Sequence, residues 1–224
     1  MARTADNSPN ISNDTYADKT TGTSSGMTRI QRERRKELMD ATMEVITEHG
    51  LTGLTLARVA KRVGLTAAMI NFHFDSKETL LMETLREVAK EFAGRVENLV
   101  SNTVDDPKAG LRGFLDLHFD PDLTNPNKVG IWFAFMGDAT ARQTYLGHFE
   151  NQDRRHHGIV QSFIAGLLND EKRADDAYAI ASGLVGILEC QWQDRLMEPD
   201  SFDEKKARAV CERYLNNFLP DATI

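Results

Sequence analysis

With 224 residues, 41% of them hydrophobic and 27% charged, the chain has the length and balance of a globular protein able to bury a sizeable core. No window approaches roughly eighteen uncharged apolar residues, and no basic segment followed by an apolar run opens the chain. Neither a membrane span nor a secretory signal is predicted, and a cytoplasmic location is expected.

The net charge of −7 opposes nucleic acid only if it is spread evenly. It is not: Arg29 to Leu80 holds nine Lys/Arg against seven Asp/Glu, whereas Leu81 to Ile224 holds 16 against 24. The polarity has the sign that a DNA reader at the N-terminal end requires.

Residues 1–28 are rich in Ser, Thr, Asn, Asp and Gly, too poor in apolar surface to offset ordering, and are expected to form a flexible tail. A first helix is predicted from Ile30 to His49, with Leu38, Ala41, Val45, Ile46 and His49 on one face and Gly50 as its stop. Thr55 caps a second, short helix whose stripe is Leu56, Val59, Ala60 and Val63. Gly64 breaks it, Leu65 anchors the turn, and Thr66 caps a third helix reaching Asn71 or Phe72. Two short helices around a tight glycine turn make a helix-turn-helix.

Asp75 or Ser76 opens a long fourth helix to about Thr103, with Asp75 and Glu78 spaced as a capping box and Leu81, Leu85, Val88, Phe92 and Leu99 along its apolar stripe. Asp106-Pro107 and the stretch 120–126 are breaks. Apolar helical periodicity then marks 108–119, 127–137, 141–169, 174–197 and 203–218. Alternation never lasts long enough for a strand. The predicted fold is all-α, with a helix-turn-helix module (29–80) joined by a long helix to a C-terminal bundle (81–224).

The run from Leu54 to Leu80 contains a Gly64-Leu65-Thr66 turn and the segment Phe72-His-Phe-Asp-Ser-Lys-Glu-Thr-Leu80. Over some fifty residues it resembles the TetR family of transcriptional repressors. That resemblance implies a homodimer that binds a double-stranded, pseudo-palindromic operator and is released by a small-molecule inducer. It departs from the family at Asn71, where a Tyr usually precedes the aromatic–His pair, so a phosphate contact there is weaker or made differently. Farther on, Trp132-Phe-Ala-Phe-Met136 and Gly183-Leu-Val-Gly-Ile-Leu188 are similar to the BetI-like branch, named for choline-responsive repressors. Glu189 stands where that branch has a large apolar residue.

The third helix is expected to enter the major groove, which displays a distinct pattern for each base pair. Thr66, Ala67, Ala68 and Met69 lead it, and polar base readout looks sparse until Asn71, leaving part of the specificity to DNA shape. Lys77 is placed to meet a phosphate at the start of helix four. Arg29, Arg32, Arg34, Arg35 and Lys36 are placed for the backbone or minor groove. Thr55, Phe72 and His73 complete the candidate DNA-binding set, although His73 between two phenylalanines also reads as a packed, hydrogen-bonded residue.

Trp132, Phe133, Phe135, Met136, Tyr145, Phe149, Phe163 and Trp192 supply aromatic and sulfur-rich surface for a core and for a pocket between helices. A quaternary amine such as choline would sit by cation–π attraction against Trp132, Phe135 and Trp192, with Glu189 as counter-charge. His148, His156 and His157 lack metal-ligand spacing, and no cofactor or nucleophile motif appears. Cys190 and Cys211 are expected to behave as small hydrophobes. Ala177, Ile180, Ala181, Leu184, Val185 and Leu188 with Gly183 and Gly186, and Ala207, Val210, Tyr214, Leu215 and Phe218, form two stripes expected to build a four-helix dimer interface. An acidic helical adaptor that binds protein through those same helices, without specific DNA binding, is the rival reading.

Overall fold

The computed structural model describes residues 27–168, 173–220 and 222, which contain helices and no strand. The order is α1 (Arg29–His49), α2 (Leu56–Arg62), α3 (Ala67–His73), α4 (Lys77–Asn102), α5 (Pro107–Phe119), α6 (Pro126–Gly137), α7 (Ala139–Leu168), α8 (Ala174–Met197) and α9 (Glu204–Phe218). None of the described helices is long and apolar enough to cross a membrane.

Local chemistry explains most boundaries. The Thr28 hydroxyl accepts from the Gln31 amide while the Gln31 side chain accepts from the Thr28 amide, a reciprocal cap that starts α1. Thr28 therefore belongs to the helix end and not to the expected tail, of which residues 1–26 lie outside the described residues. Thr55 and Thr66 cap α2 and α3 as expected. Between them Gly64 adopts φ +69°, a left-handed conformation that a side chain would strain, and the Leu65 amide donates to the Ala60 carbonyl at 2.8 Å. At α4 the expected Asp75–Glu78 box is replaced: Ser76 is the cap and accepts from the Thr79 amide at 3.0 Å, leaving Asp75 exposed. Pro107 and Pro126 sit in the first turns of α5 and α6, where a missing N–H costs nothing.

Among the described residues, two apolar clusters organise the packing. The first gathers Leu38, Val45 and Ile46 of α1, Val59 of α2, Ile70 of α3, Leu80, Leu85 and Val88 of α4, Ile131 and Phe135 of α6, and Phe149 of α7. The second gathers Phe92 and Val96 of α4 with α5, the later part of α7, α8 and α9. At 26 residues α4 is about 39 Å long and contributes to both. His49, expected on the buried face of α1, is exposed. Cys211 is buried as expected, but Cys190 is exposed.

Candidate DNA-reading surface and sensor pocket

Helix α3 is pinned from beneath by Ile70, fully buried, while Ala68, Met69, Asn71 and Phe72 face outward. Thr66 and Thr55 are exposed at the starts of their helices with their hydroxyls already committed to the Met69 and Arg58 amides. Ala67 and Lys77 are half-exposed, and the Lys77 ammonium is 3.8 Å from Glu78. Arg29 and Arg32 are exposed on α1, the former paired with Glu33 at 3.0 Å.

Arg35 does something different from what the sequence suggested. Its guanidinium donates to the His73 carbonyl and to Glu83, and lies 4.0 Å from the centre of the Phe74 ring. With 13% of its side chain exposed it is no candidate phosphate ligand. It clamps the C-terminal end of α3 to α1 and α4. His73 is half-buried and meets Phe72 edge to face at 5.4 Å. Partial burial, and then the nearby Arg35 and Arg34 charges, push its pKa down, so the ring is neutral at pH 7.

Behind this module lies a cavity of about 180 Å³ between α4, α5, α6, α7 and α8. Trp132, Glu189 and Trp192 line it, as expected, together with Phe92, Phe114, His118, Gln152, Asp153, His156 and Val185. Phe135 does not: it is 1% exposed in the first cluster, on the side of α6 that packs toward the DNA-binding module. The side chains of Tyr145 and His148 lie outside the described residues.

The aromatic wall is tightly cross-braced. Trp192 stacks on His118 with centroids 5.0 Å apart and donates its indole N–H to the His118 carbonyl at 3.0 Å, while Phe92 meets Trp192 edge on at 5.9 Å. His118 Nδ1 donates to the Phe114 carbonyl at 2.9 Å, which assigns the lone pair to Nε2. Burial lowers the pKa values of His118 and His156 to about 4, so both are neutral. Glu189 is raised, first by desolvation and then by Asp153. His118 and His156 thus add no imidazolium charge to the wall, which also holds the acidic side chains of Glu189 and Asp153. His118 was missed because it sits on the apolar stripe of α5 between Phe114 and Phe119; a polar residue on that stripe was the available signal.

The expected dimer stripe needs correction. Leu184 and Leu188 are 0% and 1% exposed within the chain's own core, as are Ala177, Ile180 and Ala181, so they present no surface to a partner. Val185 lines the cavity. Tyr214 is half-buried, its hydroxyl donating to the Ile180 carbonyl at 3.2 Å, and Val210 is 49% exposed. The outward face of these two helices instead carries Ala179, Gly186, Cys190, Gln193, Val210 and Phe218.

One end of this chain is shaped to meet a duplex and the other is hollow, the design of a transcriptional regulator with a DNA-binding and a ligand-binding domain. Residues 38–84 match the family of bacterial regulatory proteins of the tetR type, and residues 107–220, half of the chain, match the C-terminal domain of BetI-type transcriptional repressors. The chain belongs to the TetR family and is of the BetI type. It is 27% identical over 195 residues to the HTH-type transcriptional regulator BetI 1 of Chromohalobacter salexigens, covering 87% of this chain and 94% of that one. With BetI of Stenotrophomonas maltophilia the identity is 25% over 197 residues, 87% of this chain and 97% of the relative. Its fold is similar to that of a TetR regulator from Haloarcula marismortui (TM-score 0.65, 22% identity, 83% of this chain and 98% of that chain). A transcriptional regulator from Saccharomonospora viridis, solved in complex with choline, aligns with TM-score 0.64 at 17% identity over 83% of this chain and 96% of the other.

Proposed function

We propose that the protein is a homodimeric repressor that holds a pseudo-palindromic operator through residues 29–80 and releases it when a quaternary amine such as choline enters the cavity of residues 81–224. The observation that carries the ligand reading is the cavity wall: indole and phenyl faces of Trp132, Trp192 and Phe92, the neutral rings of His118 and His156, and the carboxylates of Glu189 and Asp153. Ring faces attract a desolvated cation by ~0.5–2 kcal/mol each, and the carboxylates balance its charge. The choline complex of the Saccharomonospora viridis regulator supports the same ligand class.

Operator contacts fall to the leading face of α3, to Asn71 and Phe72, and to Arg29, Arg32 and Lys77. Two reading helices must lie about one DNA turn apart, ~34–36 Å, to meet successive major grooves. The exposed face of α8 and α9 is the proposed pairing surface. Thermal denaturation with choline, tetramethylammonium and glycine betaine tests the ligand class, because a ligand of the folded state raises the melting temperature. The monocations are expected to raise it more than the zwitterion, whose carboxylate faces Glu189 and Asp153. No rise with millimolar concentrations of either monocation overturns the ligand reading, and leaves the DNA reading to be judged by duplex binding.

A further inference from the structure

The reading helix is unusual in what it shows to solvent. The seven residues of α3 include no Arg, Lys, Asp, Glu or Gln. Its outward face consists of Ala68, Met69, Asn71 and Phe72, with Met69 48% and Phe72 78% exposed. Met69 and Phe72 are three residues apart and Ala68 and Phe72 four, so the three share one side of the helix. An exposed apolar patch of this kind, on a protein with ample charged surface elsewhere, marks a contact. Phe72 has no hydroxyl with which to grip a phosphate, and the ring is braced edge on by His73, whose carbonyl the Arg35 clamp holds. The patch is therefore presented in a set position.

Chemistry then narrows the partner. Guanine is read by the bidentate donors of Arg or Lys on O6 and N7, and cytosine by an acceptor such as Glu or Asp on N4; α3 carries neither. Adenine is read by the side-chain amide of Asn or Gln on N6 and N7, and Asn71 supplies one. Thymine alone offers an apolar group to the major groove, its C5-methyl. Both remaining possibilities describe the same base pair. We propose that α3 reads A·T pairs, with Ala68, Met69 and Phe72 packing on thymine methyl groups and Asn71 on an adjoining adenine. This rests on α3 being the helix that enters the groove. Readout at the tip of α3 is then apolar rather than sparse, and phosphate grip is left to Arg32 and Lys77 outside it.

The test begins with the full-length protein selecting duplexes from a randomised pool. Each thymine of a selected duplex is then replaced singly by uracil, which removes the methyl and nothing else. One or two positions in each half-site are expected to weaken binding about three- to fivefold, the loss for one buried methyl group. Met69→Ser and Phe72→Ser, both at exposed positions, should each abolish the thymine-to-uracil difference at the position that side chain packs on. A G·C core at the selected positions, or binding indifferent to uracil everywhere, overturns the inference while leaving operator binding intact. A folded protein that selects no duplex overturns the operator-binding reading itself.

Discussion

At the scale of single residues, position in space separates side chains that the sequence makes look alike. Arg35 and Lys77 are both basic and both near the helix-turn-helix, yet one is spent inside the protein. Arg35→Ala is expected to cost about 2 kcal/mol of stability, the range for losing hydrogen bonds to a charged group, and to weaken operator binding without altering its salt dependence. Lys77→Ala should leave urea unfolding nearly unchanged and reduce the log–log salt slope of binding by about one. Opposite results would exchange the two roles.

His118 and His156 give a pH dependence of defined sign. Both have folded pKa values of about 4, below the ordinary 6.5, so between those values the unfolded chain binds protons that the folded one refuses. Stability should be full above pH 7 and fall as pH drops from 6.5 toward 4, by up to about 3 kcal/mol per histidine. Urea midpoints at pH 7 and pH 5 measure it, and His118→Leu should flatten the slope. An equally steep slope in that variant would place the acid sensitivity elsewhere.

At the scale of elements, helices with strong caps and punctuation were legible. Helices α2 and α3 begin after Thr55 and Thr66, as the sequence implies, and α8 spans 174–197 as its periodicity does. Which face of α8 is inside was not legible, because its apolar and small residues ring the helix and two stripes compete. Packing against α7 and α9 takes Ile180, Leu184 and Leu188 inward and leaves Gly186 with nothing within 4 Å of where a Cβ would stand. Gly186→Glu and Val210→Glu are therefore expected to give folded monomers by sedimentation. Leu184→Glu, a charge forced into a fully buried site, should unfold the chain instead. Dimers that persist in both surface variants would move the pairing surface off this face.

At the scale of the whole molecule, α6 as well as α4 joins the cavity to the helix-turn-helix module. Helix α6 places Trp132 on the cavity while Ile131 and Phe135 belong to the first cluster, where α6 packs on α1, and Gly130 sits so close to α1 that a Cβ would stand 2.7 Å from Thr47 Oγ1. A ligand pressing on Trp132 thus bears on the helix that backs the reading module. Trp132→Ala is expected to bind operator nearly normally without ligand but to lose the response to choline, a coupling of ~1–3 kcal/mol or 5- to 150-fold in operator affinity. If the folded variant fails to bind DNA even without ligand, Trp132 is a support of the first cluster and not a sensor.

The sequence by itself determined the helices, the helix-turn-helix, the charge asymmetry and two cavity tryptophans, because caps, turns and periodicity are local. Only the tertiary structure decided that Phe135 and Leu184 are core, that Arg35 is a clamp, and that His118 and His156 wall the cavity. Burial of one helix face against another depends on partners distant in the chain, and a residue's neighbours along the sequence carry no record of them.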